Sequence, residues 1–461
     1  MGKLTALVKN EYIKQLKKRS TIIILILTAI VSVGFTGIVK LSTLEMSDPE
    51  LDDHTPDTSY SVEIEDARRN GDDTSLEYYT FLSEQGISTA DWRYDPAVTA
   101  LGEGSFDSVA GYVQKNSSED ISGRFRDFVI NKDWKGYYGF IKDKLPEEAR
   151  WAVEFRLEND IAPDENMYSE DADWRNVQLD QYLQYALKKS KVSSEQMKTN
   201  YDDAMKTARY RLEHDIAFNV AGTSMTDMER VMYEDEPMPT SNKFTMWTAF
   251  TTSPSVVSFV GLLIIIIAGS IVASEFSNGT IKFLLINPRS RGKILISKYI
   301  TVITAGLVMI VLCFIVSLLT AGLMFGFGEA GATYVKTTAG ETTAVPGILY
   351  IFGQYMLKGV YVLVMATFSF ALSSLVKSSS LAIGLGIFAM TMGESVVMML
   401  KQAFGIDAVR YTIFANYDIQ SIASGQTIFA GQTIGFALII IAIHMVVFLL
   451  TAWDGFTRRD V

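Results

Sequence analysis

The segment ASEFSNGTIKFLLINPRSRGKILISKY, Ala273 to Tyr299, carries five basic residues (Lys282, Arg289, Arg291, Lys293, Lys298) and one acid, Glu275. It lies between two charge-free runs, Phe244–Ser274 and Tyr299–Gly328, of 31 and 30 residues. A helix needs about 20 apolar residues to cross the hydrocarbon core, so both flanks read as membrane spans joined by a basic loop. Two further charge-free runs are Ser20–Val39 and Ile419–Trp453, and two apolar stretches, Gly347–Val376 and Ser378–Leu400, hold one ionisable residue each, Lys358 and Glu394. The predicted fold class is therefore an all-α polytopic membrane protein: six transmembrane helices with a mainly helical extracytoplasmic domain.

The mean hydropathy of +0.18 conceals this segregation. Residues 42–250 hold 43 Asp and Glu against 22 Lys and Arg, a net of −21, whereas the whole chain is at −11. Basic residues near span ends stay on the cytoplasmic side. The amino-terminal cluster (Lys3, Lys9, Lys14, Lys17, Lys18, Arg19) and the 275–298 loop are thus expected inside, and the acidic block outside. Both termini then fall inside. The expected organisation is an interfacial amphipathic helix at 1–19 and spans at 20–41, 254–274, 295–325, 348–374, 380–400 and 432–453. Between them come an outer domain at 42–250, a cytoplasmic coupling loop at 275–294, an outer loop with re-entrant helices at 401–431 and a tail at 454–461. A cleaved leader is disfavoured, because the first apolar run exceeds the usual 7–15 residues and no Ala-x-Ala-like site follows it.

The single cysteine, Cys313, falls inside the third span, so the outer domain must cohere by packing without disulfides. Its pattern is helical. After Ser193 and Gln196, spaced as a capping box, apolar residues recur on one face from Met197 to Leu212. Asp173–Lys189 and Glu147–Asp160 read alike, with Pro163 as the stop of the latter, and Glu45–Thr74 reads as irregular. FRLENDIA (Phe155–Ala162) and YRLEHDIA (Tyr210–Ala217) echo one another, either as duplicated units or as two helices that end alike.

Catalytic chemistry has little to work with. No phosphate-binding G-x-x-x-x-G-K-[ST], zinc-protease H-E-x-x-H or nucleophile-elbow G-x-S-x-G occurs, and the three histidines are scattered, so no metal site is expected. By itself the chain is not expected to be an enzyme. Inside the spans, Lys358, Glu394 and His444 are the ionisable exceptions. Such residues mark transport paths or pairs, and Lys358 and Glu394 could pair with one another or snorkel outward. Gly34-x-x-Gly37 and Ala382-x-Gly384-x-Gly386 suggest close helix approach. In the basic loop, Ile281, Phe283, Leu284, Leu285 and Ile286 are too apolar for a solvated connector, and Pro288 interrupts them. That pattern describes a bent inner helix with an apolar face that needs a partner.

At this point the chain resembles a family. Glu275, Gly279-Thr280, Leu284-Leu285, Pro288, Arg291 and Lys298 are similar to the E…GT…LL…P…R…K signature of ABC-2-type exporter permeases. LVKNEYIKQLKKRSTIIILIL (Leu7–Leu27) resembles that family's interfacial helix and first span, with Glu11 at the acidic position. FALSSLVKSSSLAIGLGI (Phe370–Ile387) resembles its turn between the fourth and fifth spans. The likeness covers 1–41 and 244–461, and a large domain between the first two spans is similar to a bacterial subgroup that includes peptide-resistance permeases.

The resemblance implies a permease subunit in a bacterial cytoplasmic membrane, paired with a like or unlike second permease chain. It implies a separate cytoplasmic ABC ATPase dimer that carries ATP and Mg, with no cofactor on this chain and no nucleic-acid partner. Glu275, Gly279, Thr280, Lys282, Phe283, Pro288 and Arg291 would form the ATPase contact, with Phe283 as the apolar plug. Glu275 would pair with Arg291 or with a base on the ATPase or the first helix. Glu11, Tyr12 and Arg19 belong to the interfacial helix, whose Leu4, Leu7, Val8, Tyr12 and Leu16 would face lipid. The exported species would be a peptide, drug, lipid-like molecule or ion. The competing reading is a non-transporting receptor that binds a peptide with its outer domain.

Overall fold

A computed structural model describes residues 2–46, 58–102, 108–167, 172–220, 245–279, 291–376, 378–423, 427–429 and 431–458. The chain forms two compact units. One comprises Met1–Thr43, Thr245–Ala330 and Ile348–Val461, the other Leu44–Phe244 and Gly331–Gly347.

The first unit contains helix α1 (Gly2–Leu16) and six helices long and apolar enough to cross a membrane. Span 1 is α2, Arg19–Met46; spans 3 to 6 are Arg291–Phe325, Gly347–Leu375, Ser379–Phe404 and Ile434–Thr457. These helices outrun the expected spans by up to five residues at an end, because backbone hydrogen bonding continues through the charged residues there. Arg291–Ile294, expected in the loop, therefore begins span 3, and Lys401–Phe404 ends span 5. Span 2 is broken: Met246–Phe250 and a 3₁₀ turn at Ser253–Val256 precede the main helix, Val257–Ile271.

Span 1 packs on span 3 through a hydroxyl stripe. Thr28, Ser32 and Thr36 are buried at four-residue spacing; Ser32 Oγ donates to Cys313 Sγ at 3.4 Å, and Thr36 and Thr320 hydroxyls lie 3.2 Å apart. Van der Waals contact and such bonds hold helices together where lipid supplies no hydrophobic drive. Of the small-residue runs, Gly386 fits tightly, since an added Cβ would meet Ser369 and Ile265. Gly34, Gly37 and Gly384 face open space.

The second unit holds nine described helices and one hairpin; the first four helices are α3 (Ser61–Asn70), α4 (Asp73–Gln85), α5 (Tyr94–Ala100) and α6 (Val109–Lys115). Its main core joins Phe125, Tyr137, Ile141, Val153, Leu179, Leu183 and Leu212, from α7 (Ser122–Ile130), α8 (Trp134–Lys142), α9 (Glu147–Glu158), α10 (Trp174–Lys191) and α11 (Glu195–Glu213). Three sequence expectations change here. The stretch expected to be irregular contains helix Ser61–Asn70, ended by Gly71 in the left-handed conformation (φ 67°). The cap of α11 is Ser194, not Ser193, which puts Gln196 one place short of a capping box, and Gln196 bonds Asn200 instead. And α9 ends at Glu158, before Pro163 is reached.

The internal echo is a shared helix ending. Asp160 and Asp215 both adopt left-handed φ (52° and 54°), and Ile161 and Ile216 N–H groups return to the Arg156 and Arg211 carbonyls at 3.0 and 2.9 Å. Each arginine in turn donates to the isoleucine carbonyl, at 3.5 and 3.2 Å. This is a helix terminus that satisfies its own carbonyls.

Strands β1 (Thr333–Thr338) and β2 (Glu341–Pro346) pair antiparallel across Ala339-Gly340, both at positive φ (52° and 86°), as a tight two-residue hairpin turn requires. The hairpin, within Gly331–Gly347 between spans 3 and 4, thus belongs to the second unit. Asp203 on α11 accepts the Ala339 and Gly340 N–H groups at 2.7 and 2.8 Å, and Asn219 brackets Val335 with two bonds of 2.8 and 2.9 Å. Asp203→Ala removes two charge-assisted bonds at an exposed turn, a loss of about 1–2 kcal/mol. Amide hydrogen exchange at Ala339 and Gly340 should accelerate, while α9 and α10 keep their protection.

Candidate functional site: a buried ion cluster at the base of span 3

Lys298 lies in the second turn of the span 3 helix with its side chain only 1% exposed. Its Nζ donates to Glu11 Oε2 at 3.1 Å and to Glu275 Oε1 at 3.2 Å. Glu275, 6% exposed, also pairs with Lys14, whose side chain is 48% exposed. Glu11 and Lys14 stand three residues apart on α1 and so share a face. That face, with half-buried Leu4, Leu7 and Val8 and buried Gln15, packs on span 3, whereas Ile13 and Leu16 are exposed. The expected lipid-facing set of α1 is therefore divided, with Leu4, Leu7 and Val8 partly covered by protein. Burial and the ammonium groups of Lys14 and Lys298 hold Lys18, at the break between α1 and span 1, below the usual lysine range.

Glu275 is aimed by a break in span 2. The helix ends at Ile271 and resumes as the short helix Ala273–Ser277. At the break, Val272 and Ala273 N–H groups both donate to Ser373 Oγ of span 4, at 3.1 and 2.9 Å. Ser373 is fully buried. Ser373→Ala should cost about 1–3 kcal/mol, since it leaves buried donors without their acceptor. The check is an SDS-titration midpoint, together with altered cysteine accessibility at position 275 in a Cys313→Ser background.

Beyond the short helix, Gly279 takes φ 70°, a conformation that lets the chain turn sharply where a Cβ would strain it. Thr280, Lys282, Phe283 and Pro288 lie outside the described residues. Arg291 does not meet Glu275 through any described bond. It donates to the Thr457 carbonyl at 3.3 Å and so caps the last turn of span 6. Tyr12 is half-buried, and Arg19 is exposed at the start of span 1.

A second polar group occupies the connector between spans 5 and 6, which folds into 3₁₀ turns at Asp407–Tyr411 and Ile413–Ala415 and a short helix at Ile419–Ala423. Lys358 and Glu394 do not pair with one another. Lys358 Nζ lies 2.5 Å from Asp418, and Glu394 accepts the Tyr417 hydroxyl at 3.1 Å. Adjacent connector residues thus each take one of the two ionisable groups. His444 bonds the Ile440 carbonyl of its own helix at 2.9 Å.

Sequence reasoning omitted Lys14, Ser373, Tyr417 and Asp418 from the site, and quoted Lys298 only as part of a motif. A signal did exist for two of them. Glu11 is the one acid in a basic amino-terminal helix, and Lys298 is a base at the mouth of an apolar run; each needs an opposite charge.

Six apolar helices with charged groups paired among them define a multi-pass membrane protein. Residues 216–461 match the family described as Protein of unknown function (DUF2705), and the chain belongs to that family. It is 33% identical over 288 residues to "Uncharacterized protein YhcI" of Bacillus subtilis (strain 168), covering 60% of this chain and 81% of that one. It is also 33% identical over 223 residues to "Uncharacterized membrane protein YdbK" of the same organism, covering 48% of this chain and 85% of that one. No solved structure matches significantly.

Proposed function

We propose that the chain is the membrane-spanning permease subunit of an ATP-driven ABC exporter in a bacterial cytoplasmic membrane, with both termini inside. A separate ATPase dimer would supply ATP and Mg, and a second permease chain would complete the transporter. The observation that carries this reading is the ion cluster. It joins the first helix, the entry of the basic loop and the base of span 3 through three buried charges, Glu11, Glu275 and Lys298, with half-exposed Lys14 at the rim. Exposed ion pairs contribute about 0–1 kcal/mol, and a buried set persists only when every charge is answered. Such a set fixes geometry. It would make α1, Glu275 and span 3 move as one body when a docked partner pushes on the loop.

The absence of a phosphate-binding loop in the sequence agrees with hydrolysis on another chain. The acidic outer unit, at net −21 over residues 42–250, suits cationic cargo or cationic peptides by long-range attraction.

The test is co-purification from native cells of the detergent-solubilised chain, comparing the natural sequence with Phe283→Asp and Gly279→Pro. A nucleotide-hydrolysing partner should accompany the natural chain and be lost from both variants. If no ATPase appears, or if its binding ignores both changes, the exporter reading fails and the outer unit becomes the place to seek a receptor's ligand.

A further inference from the structure

Glu394 stands on span 5 seven residues before Lys401, about 10 Å along the helix from that charged end and so inside the apolar layer. Its side chain is exposed on the surface of the unit. An ionised carboxylate can accept about four hydrogen bonds, and the described residues supply one, from Tyr417. The nearby base is already answered: Lys358 pairs with Asp418, which Ser421 also bonds at 3.0 Å. The outer-half cluster thus carries one excess negative charge, on Glu394.

The exposed surface around it is mixed, with polar side chains among the apolar Met392, Val396, Met398 and Met399. Thr391, one turn before Glu394, and Ser395, beside it, are exposed too, while Gly393 and Val397 turn inward, Gly393 against Phe414. The exposed Met392, Val396, Met398 and Met399 offer an apolar flank to the body of an amphiphile, and Thr391 and Ser395 offer hydroxyls beside the carboxylate. A charge held at this depth requires an opposite charge or water.

We propose that Glu394, with Thr391 and Ser395 beside it, is a binding subsite for an organic cation: the ammonium, guanidinium or phosphonium group of an amphiphile moving along span 5. Lys358 is excluded as the partner by Asp418, and the net charge selects a cation over an anion. The buried Tyr417 bonds a single carboxylate oxygen, and the other receives no bond from the described residues and is available to the ligand. As a step in export this rests on the exporter reading; as a binding site it does not.

The experiment uses the full chain in nanodiscs with tetraphenylphosphonium as probe and tetraphenylborate as the shape-matched anion. Saturable phosphonium binding is expected, about tenfold or more weaker in Glu394→Gln, intermediate in Glu394→Asp, and unmatched by tetraphenylborate. Equal affinity in Glu394→Gln, or no saturable binding to the natural chain, would overturn the proposal. Should Glu394→Gln fail to fold, labelling of the natural chain by a hydrophobic carbodiimide decides instead. Modification of Glu394 that phosphonium suppresses supports the site. Modification that phosphonium ignores, or a Glu394 shielded from the reagent by a second copy of the chain, refutes it. Phosphonium binding that survives while no ATPase co-purifies would reject the exporter reading and keep the subsite; the reverse result would keep the exporter and reject the subsite.

Discussion

Lys298→Met is expected to destabilise the membrane unit by about 3–5 kcal/mol, the range for removing one partner from a buried charge set. Methionine nearly fills the lysine volume, so the loss is electrostatic. Glu11 would lose its ion pair with Lys298, and Glu275 would keep its pair with Lys14, which is half exposed and screened. An SDS titration of the purified chain, read by tryptophan fluorescence, should show a lower midpoint. Adding Glu11→Gln and Glu275→Gln to Lys298→Met should restore most of the loss, because neutral amides need no counter-charge. A triple variant no more stable than Lys298→Met would mean that Lys298 acts by packing rather than by charge.

The second large effect belongs to the second unit. Arg156 is fully buried, and its guanidinium lies 4.6 Å over the Tyr138 ring, 2.5 Å from Asn176 Oδ1, 3.0 Å from Asp180 and 3.5 Å from the Ile161 carbonyl. It ties α9 to α10 and to the chain ending after α9. Arg156→Ala would leave a cavity and an unanswered Asn176 oxygen, at a cost on the order of 3–4 kcal/mol. Arg211→Ala, which removes the counterpart in the echoed segment, should cost about 1–2 kcal/mol, since the Arg211 side chain is half-buried, donates to the carbonyls of Ile216 and Ala217 and lies 5.5 Å over the Trp174 ring. Thermal melts of the whole chain, followed by a probe on α10, would compare the two. Equal effects would contradict the structural distinction between these two helix endings.

The six spans were legible because exclusion of charge over 20 or more residues is a signal along one dimension, and it needs no knowledge of neighbours. The helix of span 3 still begins at Arg291, since a helix carries charges at its ends without breaking. The break in span 2 was not legible. Val272 and Ala273 look like ordinary span residues, and the group that accepts their N–H bonds is Ser373, on another span. The hairpin was hidden for a similar reason: Ala339-Gly340 is a weak turn signal, and its turn is held by Asp203, distant in sequence.

Half of the ion cluster could be read. Glu275 needed a base, and the first helix was among the places to seek one, beside Arg291 and the ATPase; Arg291 donates to the Thr457 carbonyl at the end of span 6. Lys358 and Glu394 stood out by charge alone. Their partners could not be read, because Tyr417 and Asp418 lie in a connector whose fold is set by buried Asn416, which bonds the Arg410 and Thr412 carbonyls.

The most direct measurement of the central claim places a photo-crosslinking residue at position 283, in the basic loop, within native cells. An ultraviolet-dependent adduct with a protein that carries a phosphate-binding loop is expected, and a weaker adduct when Lys298→Met leaves the loop entry tied to α1 through the half-exposed Lys14–Glu275 pair. Adducts only with lipid, or with another copy of this chain, would contradict it.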